Sequence, residues 1–193
     1  MCSRAARFRA SVMTSGVLAQ RFPQAVKAVA AAGHEIVAHS WAQDIIPATL
    51  TPEQLRADIQ RTSDILAHVT GFRPRGWISP RGTPAADSAR FLLEAGYQWQ
   101  GDAFDDDRPY LQLFEDARQI VAIPLTMEIN DLPHAMRFGR SPRQFVEQFD
   151  DLLASRRNKT AAVMIDVTAH AHVYGRPNGA WAYEEIANRV RKL

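Results

Sequence analysis

A chain of 193 residues that is 46% hydrophobic and 23% charged has the balance of one globular α/β-sized domain, which excludes disordered, collagen-like and coiled-coil classes. Its 23 Lys and Arg against 21 Asp and Glu leave a net charge of +2, so no nucleic acid and no anionic membrane is expected as partner. The longest apolar runs, such as Ala28 to Ala32 and Ala161 to Ile165, are too short to span a bilayer, and the single cysteine, Cys2, excludes an internal disulfide framework and a Cys-rich zinc site.

Along the chain, Arg4, Arg7 and Arg9 resemble a basic leader, but Thr14, Ser15 and Gly16 interrupt the apolar stretch behind them. With Met1 taken as the start, the expected compartment is therefore the cytoplasm. Ala10 to Thr14 is β-compatible, Val17 to Ala32 reads as one Ala-rich helix stopped at Gly33, and Glu35 to Ala38 reads as a short buried strand. Thr51-Pro52-Glu53-Gln54 offers an N-cap hydroxyl, proline at the first helical position and a glutamine that can reach back. Leu55, Ile59, Ile65, Leu66 and Val69 then supply a helical apolar period as far as Gly71. Thr83-Pro84 is a weaker start for a helix ending near Gly96. Ser141-Pro142-Arg143-Gln144 repeats the strong form, with Phe145, Phe149, Leu152 and Leu153 on one face.

Further strands are expected at Gly76 to Ile78, Tyr97 to Gln100, Gln119 to Ile123 and Ala161 to Val167. This alternation predicts a parallel sheet with helices outside, open or closed, in a single domain over residues 1–193. Asp102 to Pro109 and Glu128 to Arg140 are too polar for core elements and read as loops.

In parallel α/β architectures the carboxyl ends of the strands face the ligand. Applied here, that rule picks out His39, Asp102, Glu128, Asn130, Asp131, His170 and His172, all just beyond expected strands. Each has a plainer reading: a lone histidine is more often a loop residue, the aspartate run a solvated loop, and Glu128 with Asp131 a pair of turn residues. Arg156, Arg157 and Lys159 suit a helix C-terminus better than a nucleic-acid patch. The sequence contains no G-x-S-x-G, P-loop, G-x-G-x-x-G or H-E-x-x-H.

Several stretches together resemble the polysaccharide deacetylase (NodB-homology) superfamily. Ala25 to Trp41, AVKAVAAAGHEIVAHSW, resembles the helix, strand and first metal-ligand histidine of that family, which falls on His39. Phe72 to Trp77, FRPRGW, resembles its arginine-containing wall motif and implies substrate contacts for Arg73 and Trp77. Asp102 to Tyr110 and Ile123 to Asp131 are similar to segments of the branch with allantoinase-like and peptidoglycan-deacetylase-like members. His170 to Pro177, HAHVYGRP, resembles that branch's late histidine motif and implies a catalytic His170, with Arg176 near the substrate.

The resemblance implies a distorted (β/α) barrel that hydrolyses a C–N bond in an N-acetylated sugar or a cyclic amide. It also implies a divalent metal, usually zinc, held by an aspartate and two histidines, with a small-molecule or oligosaccharide substrate. Glu128 and Asp131 would join His170 in catalysis, and Asn130 and Asp102 would bind substrate. The sequence departs from the pattern in three places. Gln43 stands where the second metal histidine belongs, Met1 to Arg9 holds no acidic residue, and Leu193 precedes the expected last strand. First and last strands are therefore expected to be absent, exposing two edges and a route to homo-oligomers. A reading frame extended upstream of Met1 is expected to encode a strand ending in paired aspartates. Three functional readings follow: a metal-dependent deacetylase-like hydrolase, a metal-independent allantoinase-like amidohydrolase, and an inactive remnant that keeps a binding pocket.

Overall fold

A computed structural model of the chain describes residues 8–156 and 164–193. They fall into two compact units, a sheet unit over Arg9–Pro124 and a C-terminal unit over Leu125–Leu193 that also takes in Phe8. Cys2, Arg4, Arg7, Arg157, Lys159 and Ala161 to Val163 lie outside the described residues. No described helix is long and apolar enough to cross a membrane.

The sheet unit carries β1 (Ser11–Thr14), α1 (Gly16–Arg21), α2 (Pro23–Ala31), β2 (Glu35–Ala38), α3 (Pro52–Thr70), β3 (Gly76–Trp77), α4 (Ser88–Glu94), β4 (Trp99–Ala103), β5 (Tyr110–Leu113) and β6 (Gln119–Pro124). The strand order is β1-β2-β3-β4-β6-β5, parallel except for β5, which pairs antiparallel with β6. This antiparallel edge strand corrects the all-parallel expectation. Its alternation of Tyr110, Leu111, Gln112 and Leu113 is only four residues long, too short a pattern to mark a strand in sequence.

The expected helix over Val17 to Ala32 is two helices. Phe22 leaves the helical region at φ −131° and Pro23 opens α2, because proline fits the first turn and breaks an interior. Helix α3 forms as its sequence dictates: Thr51 Oγ1 accepts from Gln54 N at 3.3 Å, and Gln54 Oε1 accepts from Thr51 N at 2.9 Å. Gly71 at φ +86° ends it. Leu55, Ile59 and Leu66 are fully buried against Ile36, Trp77, Phe91, Leu92, Tyr97 and Ile120. Each such side chain contributes about 1.5–3 kcal/mol. Helix α4 begins at Ser88, not at Thr83-Pro84, with a turn at residues 86–87 before it.

Two close approaches fix the sheet. Gly76 lies under Trp99, where an added Cβ would come within 2.0 Å of the indole, and Gly101 lies under Ile78, where it would come within 2.6 Å of Cγ1. Strand β4 also runs three residues beyond the expected end at Gln100. Gln100 pairs with Ala122 and Ala103 with Pro124, so β4 carries one extra residue, a bulge at Gly101–Asp102. Bulges re-aim side chains, and Asp102 sits inside this strand instead of in a loop after it.

The C-terminal unit contains α5 (Pro142–Arg156) and α6 (Pro177–Val190). Phe145 and Phe149 of α5 pack with Ile129, Tyr174, Ala182 and Ile186. Ser141 and Gln144 again form reciprocal bonds at the start of α5, at 2.9 and 3.4 Å. The sequence reading assigned no helix over Pro177–Val190, although Pro177 at the first turn marks its start. Glu128 to Arg140 is not an irregular loop: Met127–Ile129 is a 3-10 turn and Pro133–Arg137 a π-helical turn. Of the strand expected at Ala161 to Val167, only residues 164–167 lie among the described residues. Residues 164–167 join no ladder, and only Thr168 makes an isolated parallel bridge, with Asn130.

Candidate functional site

Chemistry-bearing side chains gather in two places, one in each unit. In the C-terminal unit the centre is Asp131, which has no exposed surface. Its carboxylate accepts the His170 backbone N–H at 2.9 Å, the Tyr174 N–H at 3.1 Å and the His170 ring Nδ1–H at 2.6 Å. Burial alone would raise the Asp131 carboxyl. The hydrogen bonds from His170, Tyr174 and Tyr183 together outweigh burial and hold it below the usual carboxylate range. A carboxylate accepts only, so Nδ1 of His170 carries the proton and Nε2 is left to exchange one. The His170 side chain keeps 28% exposure, with the His172 ring 5.8 Å away edge to face.

The turn that delivers His170 is short and closed: Val173 and Gly175 donate to the His170 carbonyl at 2.9 and 3.1 Å. Gly175 packs against the Ala171 backbone, where an added Cβ would lie 2.6 Å from Cα. Thr168 steadies the other side, its N–H bonded to Ile129 O at 3.0 Å and its hydroxyl to Asp166 at 2.6 Å. Burial pushes the Asp166 carboxyl up. Asp166, a lone acid in an apolar run, was missed by the sequence reading, as was buried His134, whose ring meets Phe145 and Tyr174 edge to face.

The remaining candidates of this unit play smaller parts. Asn130 Oδ1 caps its own turn by accepting from Leu132 N at 3.1 Å. Glu128 is exposed on the 3-10 turn. Arg176 is the exposed N-cap of α6, its carbonyl accepting from Gly179 and Ala180.

In the sheet unit, the carboxyl ends of β2, β3 and β4 bring together His39, Ser79 and Asp102. Buried His39 donates from Nδ1 to Ile78 O at 2.5 Å. Ser79 donates to Asp102 twice, from N at 2.8 Å and from Oγ at 2.6 Å. Trp77 Nε1 in turn donates to Ser79 Oγ at 3.1 Å. Burial pushes the Asp102 carboxyl up to about 6 despite these bonds. The loop after His39 is pinned as well. Gly16 N and Val17 N donate to Ser40 O and Trp41 O, and Trp41 N donates to buried Asp58 at 2.9 Å.

Two residues given substrate contacts by resemblance sit elsewhere. Trp77 is core, 1% exposed and edge-on to Tyr97. Arg73 precedes β3, at the amino end of the sheet, and pairs with exposed Asp64 at 3.4 Å. The arginine beyond the carboxyl end of β3 is Arg81, held at φ +59°, a strained value for a side chain of its size. The strand-end rule, applied to Gly76 to Ile78, would have found both Ser79 and Arg81.

A family zinc would need three or more protein donors. His39 is buried, Gln43 is exposed, and no group of three His, Cys, Asp or Glu suited to a metal ion occurs among the described residues. This donor set does not fit zinc.

Residues 3–99 match the family model described as polysaccharide deacetylase. The chain is 23% identical over 208 residues to the peptidoglycan deacetylase of Helicobacter pylori, covering 90% of this chain and 69% of that protein. Among solved structures, PuuE allantoinase superposes with a TM-score of 0.81 at 27% identity, covering 93% of this chain and 60% of its own. A probable polysaccharide deacetylase from Pseudomonas aeruginosa PAO1 superposes with a TM-score of 0.80 at 27% identity, covering 94% and 63%. The chain thus spans about three fifths of the length of these two structures, and the α/β architecture expected from sequence is the one they share.

Proposed function

The chain belongs to the polysaccharide deacetylase family, and from that premise we propose that it hydrolyses a carbon–nitrogen bond in an N-acetylated sugar or a related amide, as part of carbohydrate metabolism. The observation that carries the proposal is the Asp131–His170 pair, a buried carboxylate fixing the tautomer of a partly exposed imidazole at 2.6 Å. In the reaction water adds to the amide carbonyl carbon, and the C–N bond breaks. His170 Nε2, which bears the lone pair in the tautomer that Asp131 fixes, takes the proton of the adding water and hands it to the departing nitrogen, while Asp131 steadies the ring.

A metal-independent, allantoinase-like amidohydrolase is the second reading. It is supported by the donor set that does not fit zinc and by the 27% identity with PuuE allantoinase. Residues 1–193 would make up one partial deacetylase-like domain acting in the cytoplasm, a compartment that suits a sequence with one cysteine. Strands β1 and β5 are edges among the described residues and support self-association.

The test is turnover of N-acetylglucosamine oligomers, allantoin and simple amides by purified protein. Hydrolysis that falls on Asp131→Asn supports the proposal, and the preferred substrate separates the two readings. No hydrolysis above background, with or without added zinc, refutes both and leaves the inactive remnant.

A further inference from the structure

The carbonyl of Ile78 and the N–H of Ser79 are the two ends of one peptide group. His39 Nδ1–H donates to its oxygen at 2.5 Å, and its nitrogen donates to Asp102 Oδ1 at 2.8 Å. We propose that Asp102 is a positioning residue for His39, acting through the Ile78–Ser79 peptide group.

The physics is that of a polarised hydrogen-bond chain. A carboxylate drawing on the Ser79 N–H shifts electron density toward the Ile78 oxygen, which strengthens it as an acceptor for His39 Nδ1–H. The imidazole is thereby held in one orientation and one tautomer, with the lone pair of the neutral ring on Nε2.

Three features serve this arrangement. The bulge at Gly101–Asp102 aims the carboxyl at β3. Gly101, lacking a Cβ, lets β4 close on Ile78. Ser79 grips both carboxyl oxygens while Trp77 fixes its hydroxyl, so Asp102 has little freedom to turn away. The burial that pushes this carboxyl up also keeps water from competing for its bonds.

The test is long-range proton–nitrogen spectroscopy of the histidine rings in the full chain. Wild type is expected to show His39 as the Nδ1–H tautomer; an Nε2–H tautomer overturns the proposal without any variant. Asp102→Asn keeps an oxygen for the Ser79 N–H but loses the charge. It is expected to move the His39 Nδ1–H resonance to lower frequency and to reduce the Nδ1–H population. Asp102→Glu, which keeps the charge one methylene away, is expected to produce a smaller shift in the same direction. A folded Asp102→Asn protein with an unchanged His39 ring signal overturns the proposal. Neither readout needs turnover. A coupled His39 in a chain that hydrolyses no amide would leave this inference standing and remove the functional reading, and the reverse result would separate them equally well.

Discussion

Replacing Asp131 by Ala removes the acceptor of three donors at once: the His170 amide, the Tyr174 amide and the His170 ring. Hydrogen bonds to a charged group are each worth about 1.5–3 kcal/mol. They are not additive, and breaking a buried charged pair costs about 3–5 kcal/mol as a whole. The local cost is therefore expected at about 3 kcal/mol or more, roughly a hundredfold rise in amide exchange at His170 and Tyr174 at neutral pH. The sign with pH follows from the depressed carboxyl. Asp131 lies below its ordinary 3.8 in the folded chain, so its stabilisation is fully present above that value and fades as pH falls through the folded one. The gap between wild type and variant should close on acidification. Asp131→Asn keeps one oxygen for the amides but turns an NH2 toward the ring, favouring the other tautomer of His170. It should lower turnover on the order of a hundredfold or more while costing less stability. Exchange at His170 and Tyr174 unchanged in Asp131→Ala would refute the reasoning.

The buried Asp102 carboxyl, near 6 against an ordinary 3.8, holds its proton in the folded chain across that window, so stability falls as pH rises through it and is flat above. Asp102→Asn should gain about 3 kcal/mol relative to wild type between the two ends of the window, measured by urea unfolding; a constant difference would contradict this. Gly175→Ala puts a Cβ 2.6 Å from the Ala171 Cα and should cost about 1–3 kcal/mol with loss of turnover, since backbone has to move in the turn carrying His170. Thr51→Ala should cost about 1 kcal/mol in urea unfolding through loss of the reciprocal cap of α3. Equilibrium dialysis of the full chain against zinc should retain no stoichiometric metal; one ion per chain at micromolar zinc would show that the donor set has been misjudged.

Local chemistry made much of this legible. Proline at the first turn with a hydroxyl before it marked α3 and α5, and the apolar run Ile36–Ala38 behind Glu35 marked a strand to the residue. The strand-end rule reached His39 because it directly follows β2, whereas Asp131 and His170 come together through their own hydrogen bonds and the bridge between Asn130 and Thr168. What failed depended on distant partners. Strand β5 exists because β6 pairs with it, and its own four residues carry too little pattern to say so. The bulge that turns Asp102 toward Ser79 is a mismatch between β4 and β6 and cannot be seen in either strand alone. Arg73 shows the opposite error: its motif was recognisable, but a motif does not say which end of a two-residue strand it occupies.

Gly76 and Trp99 constrain each other in a way that has an evolutionary direction. A methyl group at position 76 would lie 2.0 Å from two atoms of the indole, and that ring also donates to Glu35 at 3.3 Å. Any lineage that enlarges position 76 must first have trimmed position 99, and the intermediate must tolerate a hole in the sheet and a glutamate left to Ser11 and Arg75. Homologous chains should therefore keep the pair together or change both, with the single change at 76 missing from the record.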